Sequence, residues 1–318
     1  MSLTSLILYH PEIKALFATI PNMKASFAST DSEELPFPPS PPIVVSRASR
    51  ATSIIGHAYD YWLRAYIQRI NDCPQELYED SLAASFAVQM LAGPMPSLPE
   101  TYRQIVDRRN AYITKACDVT PGLIQGAIVL GNLDQYYRSG QLVEGGVLQV
   151  NEADVEDLQR LIQETESHSS LFLAQNSLVC NPCFGEAITQ LVGGADGDLL
   201  MDGMLIDIKV ESAFKWKIAY LRQLLGYWIL SCLTPRFEGE IEHLAIWNPR
   251  YCRLVYIPVQ EVCRSINMVE FVDAFLNIIC LPGFDMASHI LNRDKQRFVE
   301  EVLQVWQSTD NPIRRQYR

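Results

Sequence analysis

The stretch GGADGDLLMDGMLIDIK, Gly193 to Lys209, gathers Asp196, Asp198 and Asp207 beside a single lysine. Carboxylates brought together can hold a divalent cation, and an ammonium beside them can stabilise charge on an anion. Whether they meet depends on the element that carries them. Asp202-Gly203 separates two alternating runs, and an Asp-Gly pair supplies both positive-φ residues of a type I′ hairpin turn. In that register Met201 faces Met204, Leu200 faces Leu205, Leu199 faces Ile206, Asp198 faces Asp207 and Asp196 faces Lys209. Strand alternation then puts Leu199, Met201, Met204, Ile206, Ile208 and Val210 on one face, which is expected to be buried. Asp196, Asp198, Leu200, Leu205, Asp207 and Lys209 share the other, and a one-residue slip would drive the aspartates into the core.

Directly opposed residues have Cβ atoms roughly 4.5–5.5 Å apart, so Asp198 and Asp207 repel unless one is protonated or a cation lies between them. Mg²⁺ is the simplest such cation, commonly held by one or two carboxylates with water and phosphate oxygens completing its shell. The plainer alternative is a cross-strand ion pair between Asp196 and Lys209, worth ~0.2–1 kcal/mol. That pair leaves the juxtaposition of Asp198 and Asp207 without a reason.

The elements that must position these residues are legible on either side. From Ala51 to about Ser167 the apolar spacing predicts helices, with Thr120-Pro121 and Asn151 as start signals. After Ser169 the pattern turns to strands in SLFLAQNSLVC, in the hairpin, and in EHLAIWNPRYCRLVYIPV with its Asn248-Pro249 turn. Between them KIAYLRQLLGYWILSCL spaces Ile218, Leu221, Leu224, Leu225, Trp228, Ile229 and Cys232 as one wide apolar helical stripe. From about Val262 onward the pattern is helical again. Residues 29–42, acidic and then proline-rich, read as a linker after a short N-terminal helix.

The chain has 318 residues, 48% of them hydrophobic, enough for a sizeable core. Leu221 to Leu233 is too short and too interrupted by Arg222 and Gln223 to span a membrane. No basic leader precedes the apolar residues of MSLTSLILYHPEIK, so no secretory signal is expected and a cytoplasmic location is the default. Most of the eight cysteines are expected to be buried free thiols. Cys180 and Cys183 form the one close pair but would need two further metal ligands, and Cys252, Cys263 and Cys280 are spaced too irregularly to supply them. The net charge of −11 argues against a generally basic nucleic-acid-binding surface. Local positive clusters at Arg47, Arg50 and Arg64, at Arg103, Arg108 and Arg109, at Lys215 and Lys217, and in the terminal IRRQYR read as solvated surface.

A hairpin bearing Asp198 and then Asp207-Ile208-Lys209, followed by a helix carrying Gln223-Leu224-Leu225-Gly226-Tyr227, resembles the PD-(D/E)XK nuclease superfamily, in particular its RecB-like branch. The resemblance covers roughly residues 170–260. It implies an α/β (α+β) fold with a restriction-endonuclease-like core, a mixed central sheet flanked by helices. A mainly helical region (1–169) would precede that core (170–260), and a helical segment (261–318) would pack on it. The nine-residue separation of the aspartates is tighter than the family's usual spacing, which leaves Asp196 as an alternative ligand to Asp198. Glu186 and Asp60 are both candidates for the family's upstream acid, and in Gly56-His57-Ala58-Tyr59-Asp60 the histidine stands at the wrong offset for the Gly-x-x-x-His motif.

By the same resemblance, Asp198, Asp207 and the Ile208 carbonyl would hold Mg²⁺ or Mn²⁺, with Asp196 or Glu186 as further ligands. Lys209 would orient the nucleophile and stabilise phosphate charge, and Gln223 would position Lys209. Lys215, Lys217, Arg222 and Tyr227 are the candidate nucleic-acid contacts. The implied function is a metal-dependent nuclease acting on phosphodiester bonds, DNA ahead of RNA, with no membrane partner and with a homo-oligomer or protein partner left open. Two alternatives stand beside it: a catalytically silent nuclease-like module that binds nucleic acid or protein, and an acidic helical scaffold with an incidental hairpin.

Overall fold

The computed structural model describes residues 2–31, 35–73, 82–282, 284 and 292–316. Helices α1 (Leu3–Tyr9) and α2 (Pro11–Ala18) open the chain, followed by strand β1 (Ala28–Ser29). The helical stretch comprises α3 (Thr52–Ile70), α4 (Ala84–Leu91), α5 (Leu98–Ile113), α6 (Pro121–Ser139) and α7 (Glu152–Ser167). Then come β2 (Leu178–Cys180), α8 (Glu186–Leu191), β3 (Leu199–Met201), β4 (Met204–Ile208), α9 (Ile218–Cys232), β5 (His243–Asn248) and β6 (Arg253–Pro258). Helices α10 (Val259–Arg264), α11 (Met268–Ile279), α12 (Asn292–Gln307) and α13 (Pro312–Gln316) complete the described chain.

The architecture is α+β around one mixed six-stranded sheet ordered β1-β6-β5-β4-β3-β2. β4 and β5 pair in parallel, and the other neighbours are antiparallel. A parallel pair cannot be closed by a tight turn, so the chain between β4 and β5 must cross over, and α9 makes that crossing. Local sequence sets several helix ends. The Thr120 side chain accepts the Leu123 N–H at 3.1 Å, and Pro121 occupies the first turn of α6, where its missing N–H costs nothing.

Both faces of the sheet are covered. On one, Leu199, Met201, Ile206, Ala245, Trp247 and Leu254 pack against α3, α6 and α7. On the other, Leu200, Leu205, Leu244, Ile246, Val255 and Ile257 pack against α1, α2, α8, α9, α10 and α11. Buried hydrogen bonds tie the first face together: Trp247 Nε1 donates to the Tyr59 hydroxyl at 2.9 Å, which meets Thr165 Oγ1 at 2.8 Å. A third cluster joins α4, α5 and α6 outside that layer. Among the described residues, no helix is long and apolar enough to cross a membrane.

The hairpin forms in the expected register, with Leu199 opposite Ile206, Leu200 opposite Leu205 and Met201 opposite Met204. Asp202 and Gly203 take φ of 47° and 76°, as a type I′ turn requires. The Asp202 carboxylate also accepts the N–H groups of Gln175, Asn176 and Ser177 at 2.7–2.9 Å, so the turn anchors the chain leading into β2.

Three expectations need correction or extension. Only Leu178–Cys180 of SLFLAQNSLVC is strand, because the chain first makes a 3₁₀ turn at Ser169–Phe172 that buries Phe172 edge-on against Trp247. The 29–42 segment is not simply a linker. Ser29 pairs with β6, and Phe37 is buried among Phe27, Phe214 and Trp216 with ring centroids 5.3–5.5 Å away; residues 32–34 lie outside the described residues. The hairpin is buried on its second face as well as on the one expected, since Leu200 and Leu205 are core residues.

Candidate active site

The charged end of the hairpin lies where β4 runs out beside β5. Asp207 is the penultimate residue of β4 and only 4% exposed. The Lys209 N–H continues the ladder by donating to the Trp247 carbonyl at 2.8 Å, which holds residues 207–209 in extended geometry. Alternation keeps Asp207 and Lys209 on the side of Leu205, under α9.

Asp198 sits one residue before β3, and its carbonyl accepts the Asn181 N–H at 3.0 Å on the β2 side, but toward β4 its backbone does not extend the ladder. Its carboxylate takes that role instead, with Oδ2 accepting the Ile208 N–H at 2.6 Å. The first aspartate is thereby fixed against the strand that carries the second. Its Oδ1 accepts no hydrogen bond from the described residues. Gly197 permits this approach, because a Cβ there would lie 2.8 Å from Pro182 Cγ.

The Lys209 ammonium lies 2.8 Å from Asp207 Oδ1, 2.7 Å from Oδ2 and 3.3 Å from Gln223 Oε1. The contacts to Asp207 Oδ1 and Gln223 Oε1 are aligned as hydrogen bonds, whereas Oδ2 is buried and meets the ammonium only as an ion pair. Gln223 Nε2 donates to the Tyr227 hydroxyl at 3.2 Å, one helical turn along α9. Tyr227 in turn stacks on Phe184, with centroids 5.2 Å apart and planes 5° from parallel. A chain of contacts therefore runs from the packed interior through Gln223 to Lys209.

The electrostatics follow from a buried carboxylate, Asp207, and a half-buried one, Asp198, sharing one close ammonium. Burial and the neighbouring Asp207 push the Asp198 carboxyl up to about 6, against the pull of Lys209, the Ile208 N–H and Arg64. Burial raises Asp207 as well, with Lys209 opposing. Burial works against the Lys209 charge too, but Asp207 and Asp198 outweigh it and hold the ammonium above its ordinary value. The site stores a negative surplus.

Two charged residues that sequence reading missed belong to this site. Glu211 follows Asp207 and Lys209 at the same two-residue period, and its carboxylate acts on Asp207. It accepts from the Tyr220 hydroxyl at 2.7 Å and from Lys217 at 2.5 Å, while Asn248 Nδ2 holds its carbonyl at 3.0 Å. Its spacing was the available signal. Arg64, read as solvated surface, is instead 5% exposed and lowers the Asp198 carboxyl, while pairing with Asp60 at 2.9 Å. No local pattern marks an arginine on α3 as the neighbour of an aspartate so distant in sequence. Arg109 is likewise buried, whereas Arg103 makes surface pairs with Glu100 and Asp107.

The other predicted site residues divide. Asp196 does not face Lys209: it bridges Cys183, is exposed, and acts on Arg138 of α6, because the ladder gives way to the Asp198 side chain before reaching it. Of the two upstream acids, Asp60 lies on α3 through Arg64 toward Asp198. Glu186 is exposed at the start of α8 and forms no hydrogen bond or ion pair with the site residues described here. His57, beside Asp60, is held low by burial among Asp134, Arg138, Asp60 and Arg64. Lys215 is exposed, and Lys217 is engaged by Glu211. The Arg222 guanidinium keeps its Nε buried without a partner, and burial lowers its basicity. Tyr227, expected at a nucleic-acid surface, is only 7% exposed and supports Gln223 from within. None of the eight cysteines is in a disulfide, and Cys180 is buried while Cys183 is exposed.

No family model, curated protein or solved structure matches the chain.

Proposed function

We propose that the protein is a divalent-metal-dependent nuclease with a restriction-endonuclease-like core of the PD-(D/E)XK type, cutting phosphodiester bonds with DNA as the first substrate to test. The observation that carries this reading is the pair of aspartates fixed against one strand, with Asp207 Oδ2 buried and lacking a hydrogen bond, beside an ammonium that reaches only one of them closely. The sheet order supports it too: an antiparallel hairpin, a crossover helix bearing Gln223, and a parallel strand beside Asp207.

The donor set fits Mg²⁺ or Mn²⁺, since the available atoms are hard carboxylate and carbonyl oxygens. Asp198 Oδ1, Asp207 Oδ2 and the Ile208 carbonyl would hold the ion. When bound, it supplies Lewis-acid stabilisation of phosphate charge and a nucleophilic hydroxide near neutral pH. Lys209 stabilises negative charge building on the scissile phosphate from a position already set by Asp207 and Gln223, so little reorganisation is needed. Gln223 orients that ammonium, and Tyr227 holds Gln223. Arg64 biases Asp198 toward its ionised, ligating form. Lys215 and Arg222, both close in sequence to site residues, are the cations left for backbone phosphates, a modest set consistent with the acidic chain and with binding that depends only shallowly on salt.

The test is cleavage of single- and double-stranded DNA and RNA by wild type, Asp207→Asn and Lys209→Ala, with Mg²⁺, Mn²⁺ or EDTA. Cleavage that needs metal and disappears in both variants supports the assignment. Equal cleavage by wild type and Asp207→Asn removes it. Metal-independent binding with no cleavage favours the silent module.

A further inference from the structure

A group of side chains of metal-ligating type lies on the opposite side of the sheet. Among the described residues, Glu164, His168 and Cys252 form the one group of three whose ligand atoms all lie within 4.8 Å of one another. All three are half-buried. Glu164 lies on α7 and His168 is the cap residue at its end, one helical turn further on, so both project from one side of the helix. Cys252 lies in the turn between β5 and β6. The two elements are already clamped next to this group, because Asp157, two turns earlier on the same face of α7, pairs through both oxygens with Arg250 of the same turn at 2.8 and 2.9 Å.

Each ligand is poised. His168 Nδ1 lies 2.8 Å from the Glu164 carbonyl, a contact that requires the proton on Nδ1 and leaves the lone pair on Nε2. Fixing one imidazole nitrogen on a carbonyl is how metal-binding histidines are commonly oriented. Cys252 adopts φ of 49°, in the left-handed region that a side chain disfavours, with its thiol 3.5 Å from the Pro249 carbonyl of the same turn. Zn–ligand bonds of about 2.0–2.3 Å place tetrahedral ligands roughly 3.5 Å apart, so closing this group needs shifts of about 1 Å or less.

We propose that Glu164, His168 and Cys252 form a binding site for Zn²⁺ or a similar borderline-soft divalent ion, with a fourth position open to water, clasping the end of α7 to the β5–β6 turn. A thiolate, an imidazole and a carboxylate suit Zn²⁺ and not the hard ion expected at Asp198 and Asp207. Three protein ligands leave the fourth tetrahedral position to water or to a small ligand. The clasp would act on the turn that carries Asn248, whose amide anchors Glu211 beside the other site.

Cobalt(II) titration of the EDTA-stripped full chain tests this by optical absorption, since a thiolate ligand gives a charge-transfer band that carboxylates cannot. Wild type and Asp207→Asn are expected to show the band at one equivalent, with Zn²⁺ displacing the cobalt. Cys252→Ser is expected to abolish the band, and Cys183→Ser to keep it. His168→Gln, which leaves every cysteine in place, should weaken cobalt binding about a hundredfold, since even losing the partner of a metal ligand costs about ten- to a hundredfold. No band in wild type, a band surviving in Cys252→Ser, or unchanged affinity in His168→Gln would overturn the site. Far-ultraviolet circular dichroism of each variant separates loss of a ligand from loss of the fold. The outcome does not depend on cleavage activity.

Discussion

Two groups of buried charge lie on opposite sides of the same sheet, and they are built differently. Asp157 and Arg250 are both 0% exposed and meet through two parallel hydrogen bonds, with the Ser49 N–H also donating to Asp157 at 3.2 Å. Charge there is balanced one to one. At Asp198, Asp207 and Lys209 two carboxylates share one close ammonium, which pairs with Asp207, and a third carboxylate, Glu211, stands nearby. The first arrangement closes a structure. The second leaves a charge surplus that the fold holds in place, as sites that bind or react commonly do.

The largest expected effect tests the closed pair. Arg250→Ala or Asp157→Ala leaves a buried charge without its partner and should cost about 3–5 kcal/mol, read from urea unfolding. The double replacement Asp157→Leu with Arg250→Met should recover most of that loss, because a well-packed apolar pair is often as stable as a buried ion pair. If the single variants unfold like wild type, the two groups are not as different as their geometry implies.

Next in size is the effect of Lys209→Ala on catalysis. Removing a preorganised stabilising charge should lower kcat for DNA cleavage about 10²–10³-fold while unfolding changes little. Gln223→Ala should reproduce part of this loss.

The surplus of carboxylate predicts a stability change of opposite sign. The folded chain raises Asp198 to about 6, so it binds that proton more tightly than the unfolded chain does. The contribution is stabilising below the unfolded value near about 4, is lost as the pH rises through about 6, and stays absent above. In EDTA at pH 8, Asp198→Asn should therefore stabilise the protein by about 1–3 kcal/mol while abolishing cleavage. Destabilisation by this variant under those conditions would mean that the carboxylate is fully compensated.

The smallest expected effect concerns the turn that sets the register. Asp202→Ala removes the acceptor for three backbone N–H groups, and with solvent screening the loss should be about 1 kcal/mol in thermal or urea unfolding.

What the sequence disclosed was what short-range periodicity encodes. The Asp-Gly turn, the hairpin register, the α9 stripe with Gln223, and the Asn248-Pro249 turn all rest on residues close together in the chain. Only one hairpin face was legible as buried because alternation reports which residues share a face and says nothing of what covers it. Leu200 and Leu205 are buried by helices from both ends of the chain. β1 was hidden in a proline-rich stretch because its pairing partner, β6, lies far away in sequence. Arg64 and the Glu164–His168–Cys252 group escaped for the same reason. Cys252 looked irregular only against the other cysteines, when its neighbours in space are a glutamate and a histidine on α7.

The most direct measurement is calorimetric titration of Mg²⁺ and Mn²⁺ at pH 8 into wild type, Asp198→Asn and Asp207→Asn, with the Cys252→Ser replacement present in all three. Binding in the parent that is lost in both aspartate variants, with the fold unchanged by circular dichroism, is the expected result. Identical heats in the three proteins would contradict it and would leave the two aspartates with no ion to justify their company.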